Sequence, residues 1–168
     1  MASQTCLEKP RKNVNRTETV LAQEKKVTVT VQEVKAANPF GHAVVQVGTG
    51  DKVGLVPNSD AAAAGAVAKE AASAANGTPT PSSVPGHVEP LAPERKVEAT
   101  ATIQVTPKQA QAMLNYINDA RGNPQQYDPG FRNCANFVEE VLHAGGVNTP
   151  NDMTPGGLVR DLNQQASH

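Results

Sequence analysis

Residues 60–96 separate two patterned regions of the chain and contain few large apolar side chains. Most residues from Ala61 to Ala75 are alanine, and proline and serine recur in the residues that follow. The alanine block favours a short helix but offers little apolar surface to hold one in place. The proline- and serine-rich part is typical of a linker. We therefore expect a mobile Ala/Pro-rich surface insertion at 60–96 inside a single domain of residues 25–168.

The first patterned region indicates three β-strands. Residues 25–35 place valines on one face and polar side chains on the other, which is the period-two pattern of a half-buried strand. The segments 42–47 and 52–56 are short apolar strands, and the glycine-rich turn between them predicts a hairpin. Residues 1–24, which precede these strands, are polar and charged and predict a flexible N-terminal arm.

The second patterned region indicates one strand followed by helices. Residues 97–105 alternate in the manner of a strand. Thr106, Asn133 and Thr154 are residue types that cap helices, and each precedes apolar side chains at helical spacing. The chain is therefore predicted to be α+β, with a small antiparallel sheet of about four strands packed against helices.

The composition argues against several classes of function. The net charge is −1 and the sequence pI about 6.4, which gives no support to a nucleic-acid partner or an anionic membrane. Aromatic residues make up 3% of the chain, too few for a platform that stacks bases. No apolar run approaches the length of a membrane span, and no CxxC, HExxH or Cys/His cluster is present. We expect no transmembrane segment, no metal and no cofactor.

Cys134 lies in the first turn of a predicted helix, where the helix dipole favours a nucleophilic thiolate. Such a site also needs a histidine as acid and base. His143 falls half a turn away from Cys134, His168 is at the chain end and His87 lies in a proline-rich stretch, which leaves His42 at the start of a strand. By position alone, a helix cysteine is more often a core side chain and a strand histidine more often structural.

The order of these motifs resembles that of a known family. Gly41-His42 opens a hairpin, and the sequence Asn133-Cys134-Ala135-Asn136-Phe137-Val138 follows much later at a helix start. This arrangement resembles the circularly permuted papain-like group, which contains permuted NlpC/P60 proteins and their lecithin:retinol acyltransferase relatives. The region 97–162 also looks like modules of bacterial toxins and secretion effectors. The resemblance covers residues 27–58 and 97–162 and implies a permuted papain-like fold of the NlpC/P60 type.

The resemblance also implies roles for individual residues. Cys134 corresponds to the nucleophile and His42 to the base. A third polar group orients the histidine in such sites, and Asn58 or Gln46 is the candidate here. An oxyanion donor upstream of the cysteine falls near Tyr127, whose hydroxyl is suited to that role. The alternative for Tyr127 is a loop residue that packs against the helix.

The implied function is a cysteine hydrolase that works through an acyl-enzyme. Its expected substrates are amide bonds of peptidoglycan or peptides. The alternatives are a lipid acyl-ester hydrolase or acyltransferase on the same site, or a catalytically inactive binding module. The toxin-like resemblance implies a type VI secretion effector, with an immunity protein and a secretion apparatus as partners. The N-terminus has no apolar signal region, so we expect synthesis in the cytoplasm and export by a specialised route.

Overall fold

The structure is a computed structural model that describes residues 27–35, 41–77, 80–91, 96–149 and 154–166. These residues form one six-stranded antiparallel sheet and four helices, which confirms the predicted α+β class. The strands are β1 (Val27–Lys35), β2 (His42–Val47), β3 (Lys52–Pro57), β4 (Val84–Pro90), β5 (Lys96–Val105) and β6 (Gln125–Tyr127). The helices are α1 (Asp60–Ala75), α2 (Pro107–Gly122), α3 (Cys134–Ala144) and α4 (Pro155–Gln165). The arm predicted at 1–24 lies outside the described residues.

The strands lie in the order β5-β1-β2-β3-β4-β6, so the hairpin of β2 and β3 occupies the middle of the sheet. Helix α3 packs on β2 and β3, while α4 packs on β5 and β1. The side chains between these layers form one core that includes Leu55, Met113, Phe137, Leu142 and Leu158. Since α3 is amphipathic and buries most of its residues, its first residue is carried against the central strands.

The predicted helix starts are confirmed by their caps. The side chains of Thr106, Asn133 and Thr154 each accept a backbone N–H in the first turn of α2, α3 and α4. Thr106 and Asn133 also form reciprocal capping boxes with the residue three positions later. The starts of these helices are therefore determined locally by the sequence.

The sheet has more strands than the predicted number of about four. One additional strand is β4, which lies in the expected linker and pairs with both β3 and β6. Gly86 and Val88 of this strand are buried while Pro85 and His87 are exposed, but the prolines conceal this period of two in the sequence. A Cβ atom on Gly86 would lie 2.8 Å from the carbonyl oxygen of Val56, so the close strand approach requires glycine.

The other additional strand is β6, which has three residues and is too short to show a period. The alanine block does form the expected helix, α1, of which Ala66 is the one buried residue. The segment 60–96 thus contributes a helix and an inner strand of the sheet.

Candidate active site

The N-terminus of α3 is fixed by an amide capping box. The side-chain oxygen of Asn133 accepts the N–H groups of Ala135 at 2.8 Å and Asn136 at 3.4 Å. The side-chain oxygen of Asn136 accepts the N–H of Asn133 at 3.0 Å, and Asn133 donates to the carbonyl of Pro129. Asn136 therefore has a structural role, and the helix begins at Cys134, as the sequence predicted.

The thiol of Cys134 contacts the backbone of β2. The N–H of Ala43 donates to the sulfur over a distance of 3.3 Å, and Cys134 is 4% exposed. The β2–β3 ladder begins at Val45 and Val53, so the sulfur approaches β2 beyond the end of that ladder. A hydrogen bond to sulfur favours its anionic form. This hydrogen bond therefore joins the first turn of α3 to the start of β2.

His42 is the first residue of β2 and is covalently bonded to Ala43, so the thiol lies beside the backbone of the histidine. The His42 side chain is 9% exposed, and its ring lies against Gly54 of β3. A Cβ atom at Gly54 would come within 2.5 Å of Nε2 of His42 and 2.8 Å of the Ala43 carbonyl oxygen. The ring therefore occupies space that any other residue at position 54 would fill. The sequence signal for this contact is a lone glycine inside an apolar strand.

Tyr127 lies at the end of β6 with its ring packed against the core. Burial raises the pKa of its hydroxyl to about 12, and negative charge at Cys134 and at Glu70 adds to this shift. The hydroxyl is protonated at neutral pH, as that of an ordinary tyrosine is, and can donate a hydrogen bond. Tyr127 lies seven residues before Cys134, at the start of the loop that leads from β6 to α3. The packing of the ring also agrees with the alternative expectation for Tyr127.

The two candidates for the orienting group make their side-chain hydrogen bonds elsewhere. Oδ1 of Asn58 lies 2.7 Å from Nδ1 of His87, and Nε2 of Gln46 donates to the carbonyl of Gly50 at 2.7 Å. The first contact joins β3 to β4, and the second closes the hairpin turn. The structure therefore does not bring either side chain onto His42 by a hydrogen bond.

His87, set aside in the sequence because of the prolines around it, has polar neighbours on both ring nitrogens. Besides the contact with Asn58, its Nε2 lies 3.4 Å from a carboxylate oxygen of Glu89. Asn58, which follows β3, and His87 are exposed, and Glu89 is half-buried, so this group is a surface cluster at the edge of the β3–β4 pair.

An acidic pair that sequence analysis missed lies next to Tyr127. Asp128 is 1% exposed, and its carboxylate accepts the N–H groups of Gly130 at 3.1 Å and Phe131 at 3.0 Å. The Glu70 carboxyl of α1 is hydrogen-bonded to Asp128. Burial, followed by the hydrogen bond and charge of Asp128, raises the pKa of Glu70 to about 7. Only the fold reveals this pair, because the partners are far apart in the sequence.

No three His, Cys, Asp or Glu side chains of the described residues are grouped so that they can hold a metal ion. Within the same part of the chain, none of the helices has the length and apolar character needed to cross a membrane. Comparison of the sequence and structure with protein-family models, curated proteins and solved structures found no match.

Proposed function

We propose that this protein is a cysteine hydrolase of the permuted papain-like type, with Cys134 as nucleophile and His42 as acid and base. The observation that carries this proposal is the 3.3 Å hydrogen bond from the N–H of Ala43 to the sulfur of Cys134. It joins the start of the nucleophile helix to the strand that begins with the histidine. A hydrogen bond donated to the sulfur stabilises the thiolate that the proposed reaction needs.

In the proposed reaction, the thiolate of Cys134 attacks the carbonyl carbon of an amide and forms a C–S bond. The developing oxyanion accepts a hydrogen bond from the hydroxyl of Tyr127, which is protonated at neutral pH. Protonated His42 gives its proton to the leaving nitrogen, the C–N bond breaks, and an acyl-enzyme remains. Neutral His42 then takes a proton from water, which attacks the thioester and releases the carboxylic acid and the thiolate.

The proposed substrates are amide bonds in peptides or in peptidoglycan, and the proposed setting is that of an antibacterial effector with a cognate immunity protein. The order of a histidine strand followed by an Asn-Cys helix supports this setting through the family resemblance.

Hydrolysis of peptidoglycan fragments, peptide amides and acyl esters by the purified protein tests the proposal. We expect Cys134→Ala to abolish turnover and His42→Ala to lower it by about 10²–10⁴-fold. His143→Ala is the matched control, because His143 lies at the far end of α3 and contacts Thr149. Turnover of acyl esters but not amides would favour the lipid alternative. Binding of fragments without turnover would favour an inactive binding module.

A second measurement tests the dyad without a substrate. Iodoacetamide alkylation of Cys134, followed by mass spectrometry across pH, should have a midpoint below the ordinary thiol value of about 8.5. His42→Ala should move this midpoint upward, because it removes the cation that stabilises the thiolate. A midpoint unaffected by the loss of His42 would contradict the proposed pairing.

A further inference from the structure

Helix α1 has few apolar attachments to the rest of the protein. It has 16 residues, and Ala66 is the one that is buried. It touches β3 and β4, and most of its alanines face solvent. An alanine face of this kind contributes little hydrophobic stabilisation, so the position of α1 depends on its polar contacts.

The principal polar contact is made by Glu70, which reaches the loop between β6 and α3. Its carboxyl group is hydrogen-bonded to the carboxyl of Asp128. The approach is close, since a Cβ atom on Gly130 would lie 2.8 Å from a Glu70 oxygen. This loop leads from Tyr127 to Cys134, so the contact joins α1 to the proposed active site.

Two carboxyl groups at hydrogen-bond distance require a proton between them, because two carboxylates would repel each other. Asp128 accepts two backbone N–H groups and the hydroxyl of Ser83, so its carboxyl oxygens act as hydrogen-bond acceptors. The proton therefore lies on Glu70, which donates to Asp128.

The other ionisable groups near α1 do not take part in the contact between Glu70 and Asp128. Tyr127 on β6 is neutral at its raised pKa. On β4, His87 and Glu89 are paired with each other. Lys52 lies at the opposite end of β3 from α1. Lys69, the neighbour of Glu70 in the helix, is exposed.

We propose that α1 is a pH-dependent flap beside the Cys134 site, held closed by the proton that Glu70 and Asp128 share. When α1 leaves the loop, Glu70 returns to its ordinary pKa of 4.5, whereas in the closed state its pKa is about 7. The closed state is therefore favoured in full below pH 4.5 and weakens as pH rises toward 7. Over this window, the closing equilibrium falls by up to about tenfold per pH unit.

Opening of the flap exposes the Tyr127 side of the site, and the consequence for turnover rests on the proposed function. The motion itself does not rest on it, because α1 opens whether or not Cys134 is catalytic. A test that follows the backbone of α1 therefore separates the two proposals.

Hydrogen exchange of the α1 amides, expressed as protection factors between pH 4.5 and 8, is that test. In the unmodified protein we expect protection to fall by at least about tenfold across this window. Glu70→Gln should remove the pH dependence, since the amide of glutamine donates to Asp128 at every pH. Asp60→Asn, at the exposed start of the same helix, should retain it.

Protection that is independent of pH in the unmodified protein would overturn the proposal, as would pH dependence that persists in Glu70→Gln. Asp128→Asn provides a second variant, because its amide donates to the Glu70 carboxylate while its oxygen still accepts the loop N–H groups. In this variant the hydrogen bond and charge of Asp128 no longer raise the pKa of Glu70, so protection should depend less on pH than in the unmodified protein. If the protein hydrolyses none of the substrates but these exchange results are obtained, the proposed function is wrong and the pH-dependent movement of α1 is still supported.

Discussion

Gly54 has no side chain, and this leaves room for the ring of His42. The ring of His42 and the carbonyl of Ala43 together occupy the space of a side chain at position 54. The glycine is buried in a central strand, where this residue type costs backbone entropy. The close approach of the His42 ring explains why the strand tolerates it.

The first prediction concerns this contact. In Gly54→Ala, the added methyl group would lie 2.5 Å from Nε2 of His42, so the ring or the strand must shift. We expect a loss of about 1–3 kcal/mol in the free energy of unfolding from overpacking. Urea denaturation measures this loss, and the ring resonances of His42 in NMR spectra should move with it.

Gly65→Ala is the matched control, because a Cβ atom there would meet no atom within 4 Å. Position 65 lies inside a helix, so the substitution should stabilise α1 by about 0.5–1 kcal/mol. Equal effects of the two substitutions, with His42 resonances unchanged in both, would contradict the placement of the ring against Gly54.

At the scale of elements, Arg132 joins the strand that carries Tyr127 to the helix that carries Cys134. Its guanidinium donates to both carboxylate oxygens of Glu140 on α3, at 3.3 and 3.2 Å. It also donates to the carbonyl of Gln126 at 3.1 Å and the side chain of Gln125 at 3.0 Å, both on β6. These contacts set the distance between β6 and α3, and with it the geometry of the proposed site.

The second prediction tests the hydrogen bonds by which Arg132 joins β6 to α3. Arg132→Lys keeps the charge but loses the planar fork of donors, so several of these hydrogen bonds are lost together. We expect a cost of about 1–2 kcal/mol, reduced by the partial exposure of the group to solvent. Urea denaturation measures it, and Arg121→Lys is the control, because its pair with Asp51 is a surface ion pair. Equal losses in the free energy of unfolding for the two substitutions would contradict a stabilising role of the Arg132 hydrogen bonds.

The elements also show what the sequence can and cannot predict. The helix starts at Thr106, Asn133 and Thr154 were predictable because capping is local. Strand β4 was not, because a strand that contains prolines is stabilised by neighbours that only the fold provides. The hydrogen bond between Ala43 and Cys134 crosses 91 positions of the chain, so no local pattern indicates it.

At the scale of the whole molecule, α1 occupies a hairpin connection. Strands β3 and β4 are antiparallel neighbours, and Pro57 pairs with Gly86 at the end of their ladder. The N–H of Asn58 donates to the carbonyl of Pro85 at 2.9 Å, so the two ends of the intervening segment lie close together. Because the ends of this segment already lie close together, a shorter loop can replace it at little cost in closure entropy.

The third prediction distinguishes the two halves of residues 60–96. Replacement of residues 60–82 by a short Gly/Ser turn should leave a folded protein that unfolds cooperatively, because the sheet and its core remain intact. Its circular dichroism should lose the helical signal of the 16 residues of α1. Deletion of residues 84–90 should abolish folding, since β4 lies between β3 and β6 and its Val88 belongs to the core. Thermal melts and size-exclusion chromatography measure both outcomes, and loss of cooperative unfolding in the first variant would show that α1 is part of the structural core.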